Sequence, residues 1–259
     1  DLREPEYLPR SRPTPEARDQ PVLRVAIAPM LSPVKSLERY GDLVRYLARK
    51  LGRSPEIVER RTYAEINALM RLRGCDLAII CAYPYVQGNQ DFGLKALVVP
   101  VIGGKTTFHA YVLVPSASQA GSLLDLEGKR FASADLLSAA GWLHPAVWLQ
   151  ERGRNPHEFF GRHLITGSHD RAILAVAYGF ADGASVNGLI YEQMAREDPA
   201  IARQIRILSR TQPLGMSPFA VSPWIAPELE RALQSRLLSM QEDAEGKALL
   251  DALKVDRFV

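Results

Sequence analysis

The sequence predicts an α/β fold of two lobes facing one another across a cleft, and three observations carry that prediction. Short apolar runs alternate with segments of helical period from residue 23 onward. The alternation pauses in a polar stretch after Pro115 and then begins again. Strand ends carry chemistry-bearing side chains, above all in DLAIICAYPY at 76–85. Ligands collect beyond the carboxyl ends of strands in open α/β sheets, so this stretch is expected to form one wall of a binding cleft.

Composition narrows the function. At 259 residues the chain can bury a full core, as one large domain or two modest ones. Its net charge is +3, with acids and bases interspersed, and no basic stripe interleaved with aromatics points to nucleic acid. No apolar run approaches the roughly 20 residues of a membrane span. The chain opens on Asp1 rather than Met, the appearance that a removed export signal leaves. Cys75 and Cys81 are the two cysteines. An extended strand between them would hold them ~16–20 Å apart, so both are expected as free thiols.

Taken in order, residues 1–20 are rich in proline and charge and read as an extended or disordered arm. Leu23 to Ala28 is a first strand, followed by a helix from Ser36 to Leu51 that presents Leu37, Tyr40, Val44 and Leu47 on one face. Ile57 to Glu59 is a second strand. Thr62 and Glu65 form a capping-box pattern for the helix feeding the strand Leu77 to Ile80. That strand breaks at the Tyr83-Pro84-Tyr85 turn. Such βαβαβ alternation implies parallel strands with right-handed crossovers. Leu94 to Ile102 and Phe108 to Pro115 read as two further strands around the turn at Gly103-Gly104-Lys105.

The second half repeats the scheme: a strand at Arg130 to Ala134, a helix from Ser138 to Arg152, a strand at Leu164 to Thr166, a helix from Asp170 to Gly179, a strand at Ala184 to Val186 and a helix from Leu189 to Arg196. Pro145 falls inside the helix predicted from Ser138, where it would remove one backbone hydrogen bond and kink the axis. Ile205 to Leu208 and Phe219 to Val221 return the chain to the first lobe, and helices close it at Pro227 to Met240 and Ala244 to Leu253.

Four stretches then resemble one family: RVAIAPMLSPVKSLERYGDLVRYLARKLG (24–52), DLAIICAYPYV (76–86), the run from DLEGKRFASADLLSAAG (125–141) through FFGRHLITGSHDRAILAVAYGFADGASVNGLIYE (159–192), and PFAVSP (218–223). The chain resembles the periplasmic solute-binding proteins of phosphonate, phosphite and phosphate uptake. That resemblance implies a type II periplasmic binding fold that closes on a small oxyanion, with a membrane permease or sensor downstream. Uptake members offer a run of hydroxyl residues where this chain has Ser138-Ala139-Ala140-Gly141. Each missing donor to a buried anion costs on the order of 1–3 kcal/mol, which favours a less charged ligand.

Cys81, at a strand end, has a thiol suited to a soft, thiophilic centre, and trivalent arsenic as arsenite is a small oxyanion with such a centre. The resembled family includes arsenite-sensing members that use a cysteine and signal to a sensor kinase. The plain alternative is a buried packing cysteine. Tyr83 and Tyr85 could line the cleft with phenolic donors or simply pack around Pro84. Ser138, Ala139, Ala140 and Gly141 sit at a helix start, where free N–H groups favour an oxyanion. Ser168, His169 and Asp170 form a second such start. There His169 could donate to a ligand oxygen, while Ser168 could equally be a cap and Asp170 a complement to the helix dipole. Ser32, Lys105 and Asn187 are weaker candidates, and Trp142 and His144 read as packing residues.

No G-x-S-x-G elbow, phosphate-cradling loop, H-E-x-x-H or paired CxxC is present, so catalysis is not expected and no cofactor is implied. The expected organisation is an arm at 1–20, a first lobe of 21–111 plus 209–259, and a second lobe of 112–208, hinged near Ala110 to Val112 and Ser209 to Thr211. The leading expectation is an exported, monomeric sensor that holds arsenite on Cys81 and signals to a membrane histidine kinase. The alternative is the phosphite, phosphate or phosphonate-binding subunit of an ABC importer.

Overall fold

The computed structural model describes residues 21–259; the arm predicted over 1–20 lies outside the described residues. Two five-stranded sheets organise the chain. In the first, the strands run in the order Ser54–Glu59, Val22–Ile27, Leu77–Ile79, Phe219–Val221 and Lys95–Val98. The first three are parallel, as the βαβαβ pattern requires, while Phe219–Val221 enters antiparallel to both its neighbours. The second sheet runs Ile205–Arg210, Ala110–Pro115, Gly183–Asn187, Arg130–Ser133 and Arg162–Ile165. Its last three strands are parallel, and Ala110–Pro115 lies antiparallel to both neighbours.

Each sheet has its own core. Leu23, Val25, Leu47, Ile66, Leu77 and Ile79 pack with the C-terminal helices around the first. The second has Leu113, Ile173 and Val186 on one face and Phe131, Trp142 and Phe160 on the other. The strands Ala110–Pro115 and Ile205–Arg210 straddle the expected lobe boundaries, and all their residues belong to the second sheet. Ile205 to Leu208 therefore does not return the chain; the return comes after Arg210.

Where the chain crosses between sheets, Ala110 N donates to Thr211 Oγ1 at 2.9 Å and Thr211 N donates to the Ala110 carbonyl at 3.0 Å. Beyond them Thr107–Phe108 pairs with Leu214–Gly215. The single strand expected at Phe108 to Pro115 is thus interrupted at His109, whose carbonyl accepts from Gly188 N. Leu94 to Ile102 likewise divides into Lys95–Val98 and Pro100–Val101, the latter pairing with Arg257–Phe258.

Two other differences have local causes. The turn expected at Tyr83-Pro84-Tyr85 is the first turn of a helix, Ala82–Phe92, ended by Gly93 at φ 77. Proline is tolerated there because the first N–H groups of a helix have no internal partner. Pro145 is absorbed differently. The chain opens with one π turn over Ala139–Leu143, in which Leu143 N reaches back to the Ser138 carbonyl, before His144–Gln150 continues as α-helix. The partner that Ala140 O would take in this wider turn is Pro145, which has no N–H; the Ser185 hydroxyl donates to that carbonyl instead.

Candidate functional site

Five helix starts from the two sheets converge on one buried cluster: Pro33–Lys50, Tyr63–Arg71 and Ala82–Phe92 from the first, the π turn at Ala139 and His169–Ala177 from the second. Each follows the carboxyl end of a strand or the loop beyond it, so free N–H groups and positive dipole ends point inward. The lobes are closed on one another there. His169 N donates to the Met30 carbonyl at 3.0 Å, Ser32 N to Asp170 Oδ1 at 2.9 Å, and Tyr63 N to Asp135 Oδ2 at 3.1 Å.

His169 is 1% exposed, and burial pushes its pKa down to about 4, with Asp170 only partly opposing. The ring is therefore neutral. Its Nδ1 accepts from Asn187 N at 3.2 Å, which leaves the proton on Nε2, directed at Ser138 Oγ 3.4 Å away. Ser138 caps its helix as expected, accepting from Gly141 N at 3.0 Å. A Cβ on Gly141 would stand 2.9 Å from that hydroxyl oxygen and 3.3 Å from Ala134 N, so only glycine fits. Asp170 is held below the usual carboxylate range: burial works against ionisation, but the nearby Ser168 and Ser32 groups outweigh it.

Ser168 does not play the capping role its position suggests. Its hydroxyl makes no cap bond and, although close enough to Asp170 to help lower that carboxyl's pKa, completes no well-formed hydrogen bond among the described residues at 1% exposure. The Tyr63 hydroxyl, at 0% exposure, likewise completes no well-formed hydrogen bond among the described residues, although the Ser138 side chain stands near enough to act on it, with Cys81 and Asp135 close by. A buried polar atom left unpaired costs about 1–3 kcal/mol, so these two stand out among the buried groups.

Cys81 precedes the helix Ala82–Phe92 as its N-terminal flanking residue and is 4% exposed. Burial pushes its thiol up, against the pull of the N–H groups of Ala139, Tyr83 and Ala82. The sulfur thus meets Ala139 of the opposite lobe. Both cysteines are free, as the spacing implied. Tyr83 and Tyr85 are half-buried, and Tyr85 packs on the first core. Ala139 packs on the same core, and Ala140 joins Phe108, Ala110 and Met216 near the crossing segments. Through these contacts the two alanines pack where elements of the two sheets meet. Trp142 stacks on His163 at 4.0 Å and is a packing residue. Asn187 caps its helix through Oδ1 while its N–H holds His169. Lys105 lies exposed in its turn.

Sequence reasoning missed Tyr63 and Asp135. Tyr63 was legible only as the first residue after a capping threonine. Asp135 follows a strand end, which was the available signal; its two oxygens take the Tyr63 and Leu137 N–H groups, tying the lobes together. Among the described residues, no group of three or more His, Cys, Asp or Glu is placed to hold a metal ion. No described helix is long and apolar enough to cross a membrane.

Residues 25–259 match the model of the family described as the periplasmic substrate-binding protein of phosphonate ABC transporters. The chain belongs to this family. The phosphonate-binding family is one of binding components rather than enzymes. A phosphate-import protein, PhnD, of Mycolicibacterium smegmatis is 24% identical over 201 residues, 73% of this chain and 63% of that protein; the chain thus spans less than two thirds of this relative's length. Among solved structures, the binding component of an ABC phosphonate transporter from Pseudomonas aeruginosa superposes with a TM-score of 0.87 at 21% identity, covering 93% of this chain and 81% of that one. PhnD1 of Prochlorococcus marinus, solved with methylphosphonate, gives 0.81 at 19% identity, covering 92% of each chain. These likenesses establish the type II periplasmic binding fold in this member of the phosphonate-binding family.

Proposed function

We propose that this chain is the solute-binding component of an ABC importer and that its two lobes close on a small phosphorus oxyanion of the phosphonate, phosphite or phosphate class. The observation that carries this reading is the pair of buried hydroxyls on Tyr63 and Ser168 that complete no well-formed hydrogen bond among the described residues, set with the His169 Nε2–H among converging helix starts. These donors, together with free backbone N–H groups, suit the oxygens of one compact anion. The descriptions of the relatives, phosphonate and phosphate uptake, support the same class.

The charge of the site selects within that class. Asp135 and Asp170 are both buried, no Lys or Arg is among the buried charged residues described, and the partly buried Lys35 is the cation that acts on Asp170. A dianion would meet two carboxylates in a dry site, whereas a singly charged oxyanion keeps a hydroxyl to donate. Monoanions are therefore the preferred form.

Arsenite is kept as a second reading because Cys81 lies within the cluster, against Ala139 of the other lobe. Arsenite is neutral at pH 7, and condensation of the thiol with one As–OH would form an As–S bond and release water. Against it, the thiol is buried and its pKa raised. Under the importer reading Cys81 packs the interface between the lobes, and an ABC permease rather than a sensor kinase is the downstream partner. Tyr83 and Tyr85 shape the wall without contacting the anion. Titration of the reduced protein with methylphosphonate, phosphite, phosphate and arsenite tests the choice: a phosphorus oxyanion that binds equally to Cys81→Ser supports it, and arsenite as the sole ligand overturns it.

A further inference from the structure

A cavity of ≈ 120 Å³ lies between the lobes, beside the oxyanion cluster and separate from it. None of Tyr63, Cys81, Ser138, Ser168 or His169 lines it. One wall comes from the first lobe, with Met30, Ile79, Phe219 and Phe258; the other comes from the helix Gly188–Glu197, with Leu189 and Ile190. The lining is mainly apolar, yet its charged residues are all cations: Arg39, Arg196 and Lys254. No carboxylate lines it among the described residues, and none of the three cations belongs to an ion pair among them. Arg39 instead donates to Gln193 Oε1 and to the Leu253 carbonyl at 2.9 Å, while Arg196 and Lys254 are exposed at the rim.

An apolar chamber with uncompensated positive charge at its edge fits an amphipathic anion. A cavity of ~150 Å³ lined by aliphatic and aromatic side chains admits benzene, so this one suits a body of about four or five carbons. We propose that it is a second ligand site, taking a short alkyl chain that ends in a carboxylate or phosphonate. The occupant touches both lobes and so exists only in the closed arrangement. It also adjoins the two groups that hold His169: the Met30 carbonyl accepts the His169 backbone N–H, and Asn187 N donates to its Nδ1. Binding in the cavity therefore favours closure on the oxyanion, and by linkage the oxyanion strengthens binding in the cavity by the same factor.

The test is methyl NMR on the full chain with isoleucine labelled, titrated with pentanoate, butylphosphonate and the neutral control pentan-1-ol. Ile79, Ile102 and Ile190 line the cavity, whereas Ile66 and Ile173 lie in the two cores and report general effects. The expected result is a saturable shift of the three lining methyls by pentanoate, at least tenfold weaker with pentan-1-ol, and halved or worse in affinity in Arg196→Gln. Comparison of pentanoate with butylphosphonate, each with and without saturating methylphosphonate, tells the two head groups apart. Ile190→Trp, checked for an unchanged melting temperature, should abolish the pentanoate response while leaving methylphosphonate binding in place. Pentanoate shifts that do not saturate, that fall equally on Ile66 and Ile173, or that are matched by pentan-1-ol overturn the proposal.

Discussion

The Nδ1 atom of His169 accepts the backbone N–H of Asn187 at 3.2 Å, which fixes the ring as the tautomer that carries its proton on Nε2. Burial holds that ring neutral, with its pKa down at about 4 instead of 6.5. An unfolded chain binds a proton on this residue below pH 6.5, whereas the folded chain resists it until about pH 4. Stability thus falls as pH drops through that window, by roughly 3 kcal/mol at ~1.4 kcal/mol per pH unit. Urea unfolding of the wild type and of His169→Gln at pH 7 and pH 4.5 checks the sign: the wild type should lose more stability than the variant.

Ligand charge gives a pH effect of opposite direction. Phosphate and phosphonate dianions each take up one proton and become monoanions near neutral pH. If the monoanion is the form that binds, as proposed from the buried Asp135 and Asp170, affinity for phosphate should rise several-fold between pH 8 and pH 6. Calorimetric affinities that fall over that range would show that a dianion is preferred.

Closure rests partly on the bond from Ser32 N to Asp170 Oδ1 across the lobes. Asp170→Ala leaves that N–H without its acceptor in the closed form. A loss of ~5–20-fold in oxyanion affinity is expected, with a larger radius of gyration at subsaturating ligand in small-angle scattering. An unchanged affinity would mean that the closed arrangement does not depend on this contact.

Ser185 supplies the hydrogen bond that Pro145 cannot. Ser185→Ala strands the Ala140 carbonyl in a buried position and should destabilise the fold by about 1–3 kcal/mol, seen as a melting temperature lower by a few degrees. The double variant Ser185→Ala, Pro145→Ala should recover part of the loss, because the restored backbone N–H can reach the same carbonyl.

Much of this architecture was legible from residue patterns. The capping box at Thr62 and Glu65 forms as read, with Glu65 N on Thr62 Oγ1 at 3.2 Å and Thr62 N on Glu65 Oε2 at 3.1 Å. Ser138 and His169 stand at helix starts, as read, because such starts after strands announce themselves. What stayed hidden depends on contacts distant in sequence. Pro84 looks like a breaker until its place in a first turn is known. Ser168 looks like a cap until its hydroxyl is seen to make no cap bond. Tyr63 could not be assigned because nothing local tells a core tyrosine from one whose hydroxyl lacks a partner across a cleft.

The buried Tyr63 hydroxyl, which completes no well-formed hydrogen bond among the described residues, is proposed to be completed by a phosphorus oxyanion. Calorimetric titration of the wild type and Tyr63→Phe with methylphosphonate, phosphite and phosphate tests it most directly. Saturable binding of at least one of them, weakened ~10–100-fold in Tyr63→Phe with the melting temperature of the free protein unchanged or raised, is the predicted result. Binding of none of the three, or equal affinity in the two proteins, would contradict it.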